Sequence, residues 1–418
     1  MSTAQDIPNT PNIPDILSPE FAADPYPVYR ALREHKPLLW HEAMQSYVVS
    51  RYEDVERVFK DREAAFTTDN YDWQLEPVHG RTILQLSGRE HAVRRALVAP
   101  AFRGSDLEQK FLPVIERNAR ELIDTLLDGA APGTGSGTAD LVEGFATRFP
   151  VNVIADMLGL DKADHAKFHG WYTSVIAFLG NLTGDPEVAA AGERTRQEFA
   201  AYMIPVIQHR REHPGDDLLS ALCAAEVDGV RMSDEDIKAF CSLLLAAGGE
   251  TTDKAIASIF ANLLAHPEQL AAVRADRALI DRAFAETLRF TPPVHMIMRQ
   301  TAKEVTLSGG TVPAGATVTC LIGSANRDGE RYADPDTFDI FRTDLTSATA
   351  FSAAADHLAF ALGRHFCVGA LLARAEVSTG VGQLLDALPD MRFEDGYVPV
   401  EQGVFTRGPR EVRVRYGA

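Results

Sequence analysis

A cysteine at the entrance of a helix, flanked by glycines and cation-bearing side chains, is placed to be an anion. The run Phe360-Ala361-Leu362-Gly363-Arg364-His365-Phe366-Cys367-Val368-Gly369 sets Cys367 just before a predicted helix, with Arg364 and His365 beside it. Backbone N–H groups at a helix start and nearby positive charge lower a thiol's pKa and hold the thiolate. Gly363 and Gly369 let the backbone pass close to a flat ligand. Cys223, Cys241 and Cys320 are widely spaced, without the CxxC pairing of a zinc site or a redox dithiol, and read as small buried hydrophobes.

A second run, Ala247-Gly248-Gly249-Glu250-Thr251-Thr252, lies inside a long helical stretch. Two glycines there cost about 1–2 kcal/mol relative to alanine, so they are expected to serve a local opening. With a threonine hydroxyl they let a helix leave regular bonding, open a groove and free a carbonyl. Glu286 and Arg289 share one helical face and can pair. Glu193 and Arg196 have the same spacing and read as a solvated helix face. His91 and Arg95 lie one turn apart, whereas Arg94 points about 100° away and is expected to face solvent.

The elements that position these residues read as mainly helical. Helices are expected over 24–35, 52–60, 88–102, 107–127, 141–159, 162–179, 186–213, 278–290 and 368–388, with short strands at 38–40, 46–50, 305–307 and 317–321. Ser233, followed by Asp234, Glu235 and Asp236, caps a helix running to about Ala265. At 1.5 Å per residue that helix is roughly 50 Å long, enough to cross a whole domain. Residues 67–87 have no clean period and read as a pocket-covering loop. Residues 129–138 form a loop rich in Gly, Ala, Thr and Pro, and 343–356 is irregular.

With 45% hydrophobic and 24% charged residues in 418, the chain has the balance of a folded globular protein. The formal charge of −18 argues against nucleic acid or an anionic membrane as partner. Residues 1–17 lack a basic start and an apolar run, so they read as an extended segment, neither signal peptide nor membrane anchor, in a cytoplasmic protein.

The cysteine run strongly resembles the haem-binding loop of cytochromes P450, Phe-Gly-x-Gly-x-His-x-Cys-x-Gly, with Ala361 where the family usually has glycine. The other motifs occur in the family's order across nearly the whole chain. The resemblance implies an α+β fold, mainly helical with small β-sheets. One large haem domain would span residues 1–418, with a long central helix crossing the haem. It implies haem b with Cys367 as iron ligand, its electron donation favouring O–O cleavage. Glu250 would be the acid and Thr251 the alcohol that relay protons to bound O2, with Thr252 a structural hydroxyl. His91, Arg95, Arg299 and His365 would meet the propionates, and Ala247, Gly248, Thr251, Phe360, Gly363 and Gly369 would border the macrocycle. Glu286 and Arg289 would form a structural ion pair.

The activity implied is insertion of one oxygen atom from O2 into a hydrophobic small molecule such as a terpenoid, steroid, fatty acid or polyketide-like compound. Trp73, Val78, Ile83, Leu84, Phe178, Leu179, Leu244, Ala247, Val294, Met296, Ile297 and Phe405 are expected to line the pocket. No flavin or nicotinamide fingerprint follows the haem region, so electrons are expected from a partner, which the resemblance implies to be a ferredoxin with its reductase. Arg103, Lys110, Arg364 and Arg374 are expected as basic contacts, and the chain is read as a monomer. Two alternatives remain open, a peroxide-using or isomerising haem-thiolate enzyme and a haem-dependent sensor or carrier. Asp253 and Lys254 have no account at this level.

Overall fold

The structure, a computed structural model, describes residues 13–128, 136–181 and 184–417. The expected segment 1–17 and the loop 129–138 therefore fall largely outside the described residues. Gly137 and Thr138, taken as loop, instead begin a strand that pairs antiparallel with Arg413–Tyr416.

The central helix spans Asp234–Ala265, and its start is built as the residue pattern requires. The Asp236 N–H donates to Ser233 Oγ at 3.1 Å, and the Ser233 N–H donates back to Asp236 Oδ2 at 2.9 Å. It packs against helices Phe149–Met157, His165–Leu179, Pro186–Glu212, Ile280–Phe290 and Ala370–Ala387. The main apolar core forms around it, drawing on residues from Leu97 to Tyr416.

The helix is unbroken through its two glycines, which corrects the expected opening. A Cβ on Gly248 would lie 2.8 Å from Ile154 Cδ1, and one on Gly249 would lie 2.8 Å from Tyr172 Cε2. The glycines admit two crossing helices, so their cost is offset by close packing.

Among the described residues, two helices of four and five residues, Ile322–Ala325 and Pro19–Ala23, and three longer ones escaped the sequence reading. Asp72–His79 lies in the segment taken as a loop and contains Pro77, which interrupts its periodic signal. Leu218–Ala224, capped by Asp217, and Pro267–Ala275 are short.

A five-stranded sheet stands at one side, in the order Leu38–His41, Ser46–Val49, Thr317–Leu321, Met296–Thr301, Phe66–Thr67. Arg299 pairs with Val318 and Ile297 with Cys320, so these four side chains share one face. That face packs against Phe59 of helix Tyr52–Lys60. Met296 and Leu321 point the other way, onto Ile16, Phe21 and Tyr29.

Candidate active site

The cysteine loop is pinned through its backbone. The Cys367 N–H donates to the Phe360 carbonyl at 2.9 Å, and the Ala373 N–H donates to Gly369 at 2.8 Å as helix Ala370–Ala387 begins. Gly363 has φ +69°, and a Cβ there would stand 2.5 Å from the Phe59 carbonyl oxygen, so only glycine fits. Ala361 also sits in the left-handed region, at φ +52°, which explains why glycine suits that position. Gly363→Ala is expected to lower stability by about 2–3 kcal/mol in urea denaturation, and a loss below about 0.5 kcal/mol would contradict this close approach.

Around Cys367 cations predominate: Arg95, Arg299 and Arg364 stand there, and only Arg364 has a carboxylate partner among the described residues, Asp61. The His91 and His365 ring centroids are 4.2 Å apart. His365 is pushed down to about 3 by burial and then by Arg299, His91, Arg364 and Arg95. Burial, Arg95 and Arg364 lower His91 in the same way. No carboxylate contributes to either shift. Such a cluster is costly unless an anionic group completes it, and the two propionates of haem fit that requirement. The Arg299 guanidinium lies 5.5 Å from the Phe59 ring centroid and donates one bond to the Met298 carbonyl at 2.8 Å.

Cys367 itself departs from expectation. Burial pushes its thiol up, while the Gly369 N–H and Arg95 pull it down. The protein alone therefore does not make a free thiolate nucleophile of it. A bound metal ion deprotonates a coordinating thiol outright, which suits Cys367 to the role of ligand.

On the central helix, Ala247 is exposed and Gly248 and Thr251 are half-exposed, although their neighbours are buried. This uncovered strip is where a flat group could lie along the helix. The Thr251 hydroxyl donates to the Ala247 carbonyl at 2.7 Å. That bond occupies the carbonyl expected to be freed.

Glu250 faces elsewhere. It accepts from the Tyr172 hydroxyl at 2.8 Å and the Thr406 hydroxyl at 3.1 Å, and pairs with Lys254 at 2.6 Å. Lys254 thus neutralises the acid from one turn along. Asp253 is buried, accepts from the Thr147 hydroxyl at 3.3 Å, and is pushed up to about 7 chiefly by burial. Thr252 donates to Glu376 at 3.3 Å, in keeping with a structural hydroxyl, and burial raises Glu376 to about 8. Glu376 and Tyr172 were missed because a single Glu or Tyr on a buried helix face carries no sequence signal.

The two Glu-x-x-Arg pairs differ in their surroundings. Glu193–Arg196 is at 2.7 Å with side chains 42% and 38% exposed, whereas Glu286–Arg289 is at 2.7 Å with 1% and 0% exposed. Arg94, expected to face solvent, instead pairs with Asp236 at 2.7 Å. Of the four basic contacts, Lys110 pairs with Asp216 at 2.8 Å and Arg374 with Asp281 at 2.5 Å. Arg364 pairs with Asp61. Arg103 is exposed and has no ion-pair partner among the described residues.

The expected pocket residues do not form one set. Val78, Phe178 and Leu179 cluster with Val175, Ile176 and Ala246, and Leu244 belongs to the main core. Val294 and Ile297 pack on the inner face of the sheet. Met296 and Phe405 join the N-terminal cluster, which removes Met296 from the pocket wall. Trp73 is 68% and Leu84 37% exposed. Ile83 lines a cavity of about 70 Å³ with Leu86, Arg94 and Phe240, which Cys367 does not border.

Comparison with known proteins meets the same family. The Cytochrome P450 family pattern matches residues 33–388. The chain is 39% identical over 402 residues to pulcherriminic acid synthase of Bacillus subtilis (strain 168), covering 96% of this chain and 97% of that one. It is 33% identical to cyclomarin C epoxidase CymV of Salinispora arenicola (strain CNS-205), covering 93% of this chain and 94% of that one. The structure of CYP109E1 from Bacillus megaterium in complex with testosterone superposes with a TM-score of 0.82 at 29% identity, covering 94% of this chain and 100% of that one. With its cysteine loop, its cationic cluster and its uncovered central-helix strip, the chain belongs to the cytochrome P450 family of haem-dependent monooxygenases.

Proposed function

We propose that this chain inserts one oxygen atom from O2 into a hydrophobic small molecule, by hydroxylation or epoxidation, with electrons from a ferredoxin and its reductase. The cation-rich cluster around Cys367, in which Arg95 and Arg299 have no carboxylate partner among the described residues, carries the reading, because it fits haem b held by Cys367 and by propionate contacts to His91, Arg95, Arg299 and His365. Haem, when bound, supplies the oxygen activation. The residues of the chain hold substrate, exclude water and move protons. Thr251 on the uncovered strip is the alcohol, and Glu250, held in this structure by Tyr172, Thr406 and Lys254, is the acid. The partner docks near Arg103 on the cysteine side, since the other three cations are already paired.

The chain acts as one monomeric haem domain in the cytoplasm. Among the described residues no helix is long and apolar enough to cross a membrane. The relatives named above are associated with pulcherriminic acid, cyclomarin C and testosterone. This supports a role in secondary metabolism but selects no single substrate.

The test is turnover of the haem-loaded chain with NADPH, ferredoxin reductase and ferredoxin against a panel of such compounds. The expected product carries one atom of label from ¹⁸O₂ and requires the ferredoxin. Turnover with peroxide alone, and none with the donor chain, would overturn the reading.

A further inference from the structure

Asp253 is a buried acid on the central helix that the chemistry above leaves unused. Its Oδ1 has no partner among the described residues, and its Oδ2 accepts one long bond, from the Thr147 hydroxyl at 3.3 Å. A buried carboxylate normally collects several donors or a cation of its own. The ammonium on this helical turn is already engaged, since Lys254 bonds Glu250 Oε1 at 2.6 Å. Residues three and four apart are neighbours on a helix surface, so Glu250 and Asp253 stand on one turn with a single cation between them.

The surroundings of the two carboxyl groups differ. Glu250 has Lys254 and two hydroxyl donors, Tyr172 at 2.8 Å and Thr406 at 3.1 Å, all of which favour its charged form. Asp253 has one hydroxyl donor and two carboxylate neighbours, Glu250 on its own helix and Asp140 on strand Gly137–Asp140. Tyr172, on helix His165–Leu179, stays neutral, because burial and then Glu250 and Asp253 push its phenol up. Burial first, with Glu250 and Asp140 adding to it, holds Asp253 at about 7 against the pull of Lys254 and Thr147. Of the groups around Glu250, Asp253 is therefore the one that gains and loses a proton near neutral pH.

We propose that Asp253 is a positioning residue for proton delivery, storing one proton on the turn it shares with Glu250 and Lys254 and passing it to Glu250. This rests on the reading of Glu250 as the acid that serves Thr251. One proton leaves the Asp253 carboxyl and joins a Glu250 carboxylate oxygen, so the net charge of the turn is unchanged. Asp253, now ionised, takes Lys254 as its partner, and Glu250 is released as a neutral acid able to turn to Thr251. Water at the surface restores the Asp253 proton afterwards.

The test is infrared spectroscopy of the haem-loaded full chain as the pH is raised from about 5 to about 9, reading the C=O stretch of protonated carboxyl groups. The difference between wild type and Asp253→Asn is expected to show one carboxyl band with its midpoint near pH 7; Glu376, which titrates at about 8, cancels in that difference. Glu250→Gln removes a negative neighbour and frees Lys254, so the Asp253 midpoint is expected to fall by at least about one pH unit, tenfold in proton affinity. Thr147→Val removes a donor to the charged form and is expected to raise the midpoint by about half a unit, which identifies the band even if Asp253→Asn does not fold. In ferredoxin-driven turnover, wild-type product formed per NADPH is expected to fall as pH rises through about 7 and the store empties. Asp253→Asn is expected to lie about tenfold below wild type at about pH 6 and to lack that step.

A carboxyl band that persists in Asp253→Asn, a midpoint unmoved in Glu250→Gln, or an Asp253→Asn chain that keeps the wild-type pH step would overturn the proposal. The two infrared results do not depend on turnover. If both behave as expected while ferredoxin yields no product, the proposed function fails and the proton shared between Asp253 and Glu250 stands.

Discussion

Glu286→Ala is expected to lower the unfolding free energy by about 3–5 kcal/mol, a large part of the 5–15 kcal/mol typical of a folded protein. Arg289 uses all five of its donors. Nε and Nη2 bond the two oxygens of Glu286, both at 2.7 Å, and the rest reach the carbonyls of Asn326, Pro335 and Thr337 at 3.1, 2.8 and 3.0 Å. Glu286 also accepts from the Asp339 N–H at 2.9 Å and from Arg342 at 3.2 Å. Removing this carboxylate leaves a buried cation with two unpaired donors and releases the irregular segment 326–342 from helix Ile280–Phe290. Chemical denaturation of Glu286→Ala beside Glu193→Ala separates the two pairs. The exposed pair is expected to change stability by no more than about 0.5 kcal/mol. Equal effects would show that burial of the Glu286 pair does not decide its contribution.

The second large effect concerns proton delivery. Glu250→Gln removes the acid, while the amide oxygen still accepts from one of the Tyr172 and Thr406 hydroxyls and the amide N–H can donate to the other, so the local fold should survive. Loss of a positioned general acid costs about 10²–10⁴-fold, and product formation is expected to fall within that range. NADPH should still be consumed, with oxygen appearing as hydrogen peroxide in place of product. Thr251→Val is expected to shift the same balance by a smaller factor. Measured as product formed per NADPH oxidised, a decrease of Glu250→Gln below about threefold would remove Glu250 from the relay. The hold of Lys254 on Glu250 at 2.6 Å means that the acid must exchange partners before it can serve Thr251.

Much of the framework was legible because it is local. Helix Tyr52–Lys60, the Ser233 cap and the strands Val305–Leu307 and Thr317–Leu321 stand where periodicity and capping place them. The cysteine loop was legible because glycine, histidine and cysteine occur together at fixed spacing. Helix Asp72–His79 was not, because Pro77 breaks its pattern and its anchoring comes from distant residues such as Ser242 and Lys238. The partners of Glu250 come from residues 172 and 406 as well as from Lys254. No local pattern announces contacts at such separations. The pocket wall was least legible: adjacent strand residues Met296 and Ile297 enter different clusters, and only the sheet register decides which faces inward.

The central claim is that Cys367 is the iron ligand, and the dithionite-reduced, carbon monoxide-bound absorption spectrum tests it most directly. The account predicts a Soret maximum at the position characteristic of thiolate ligation for the wild-type chain, and its loss in Cys367→Ala. A maximum typical of histidine ligation, or one that persists in Cys367→Ala, would contradict it.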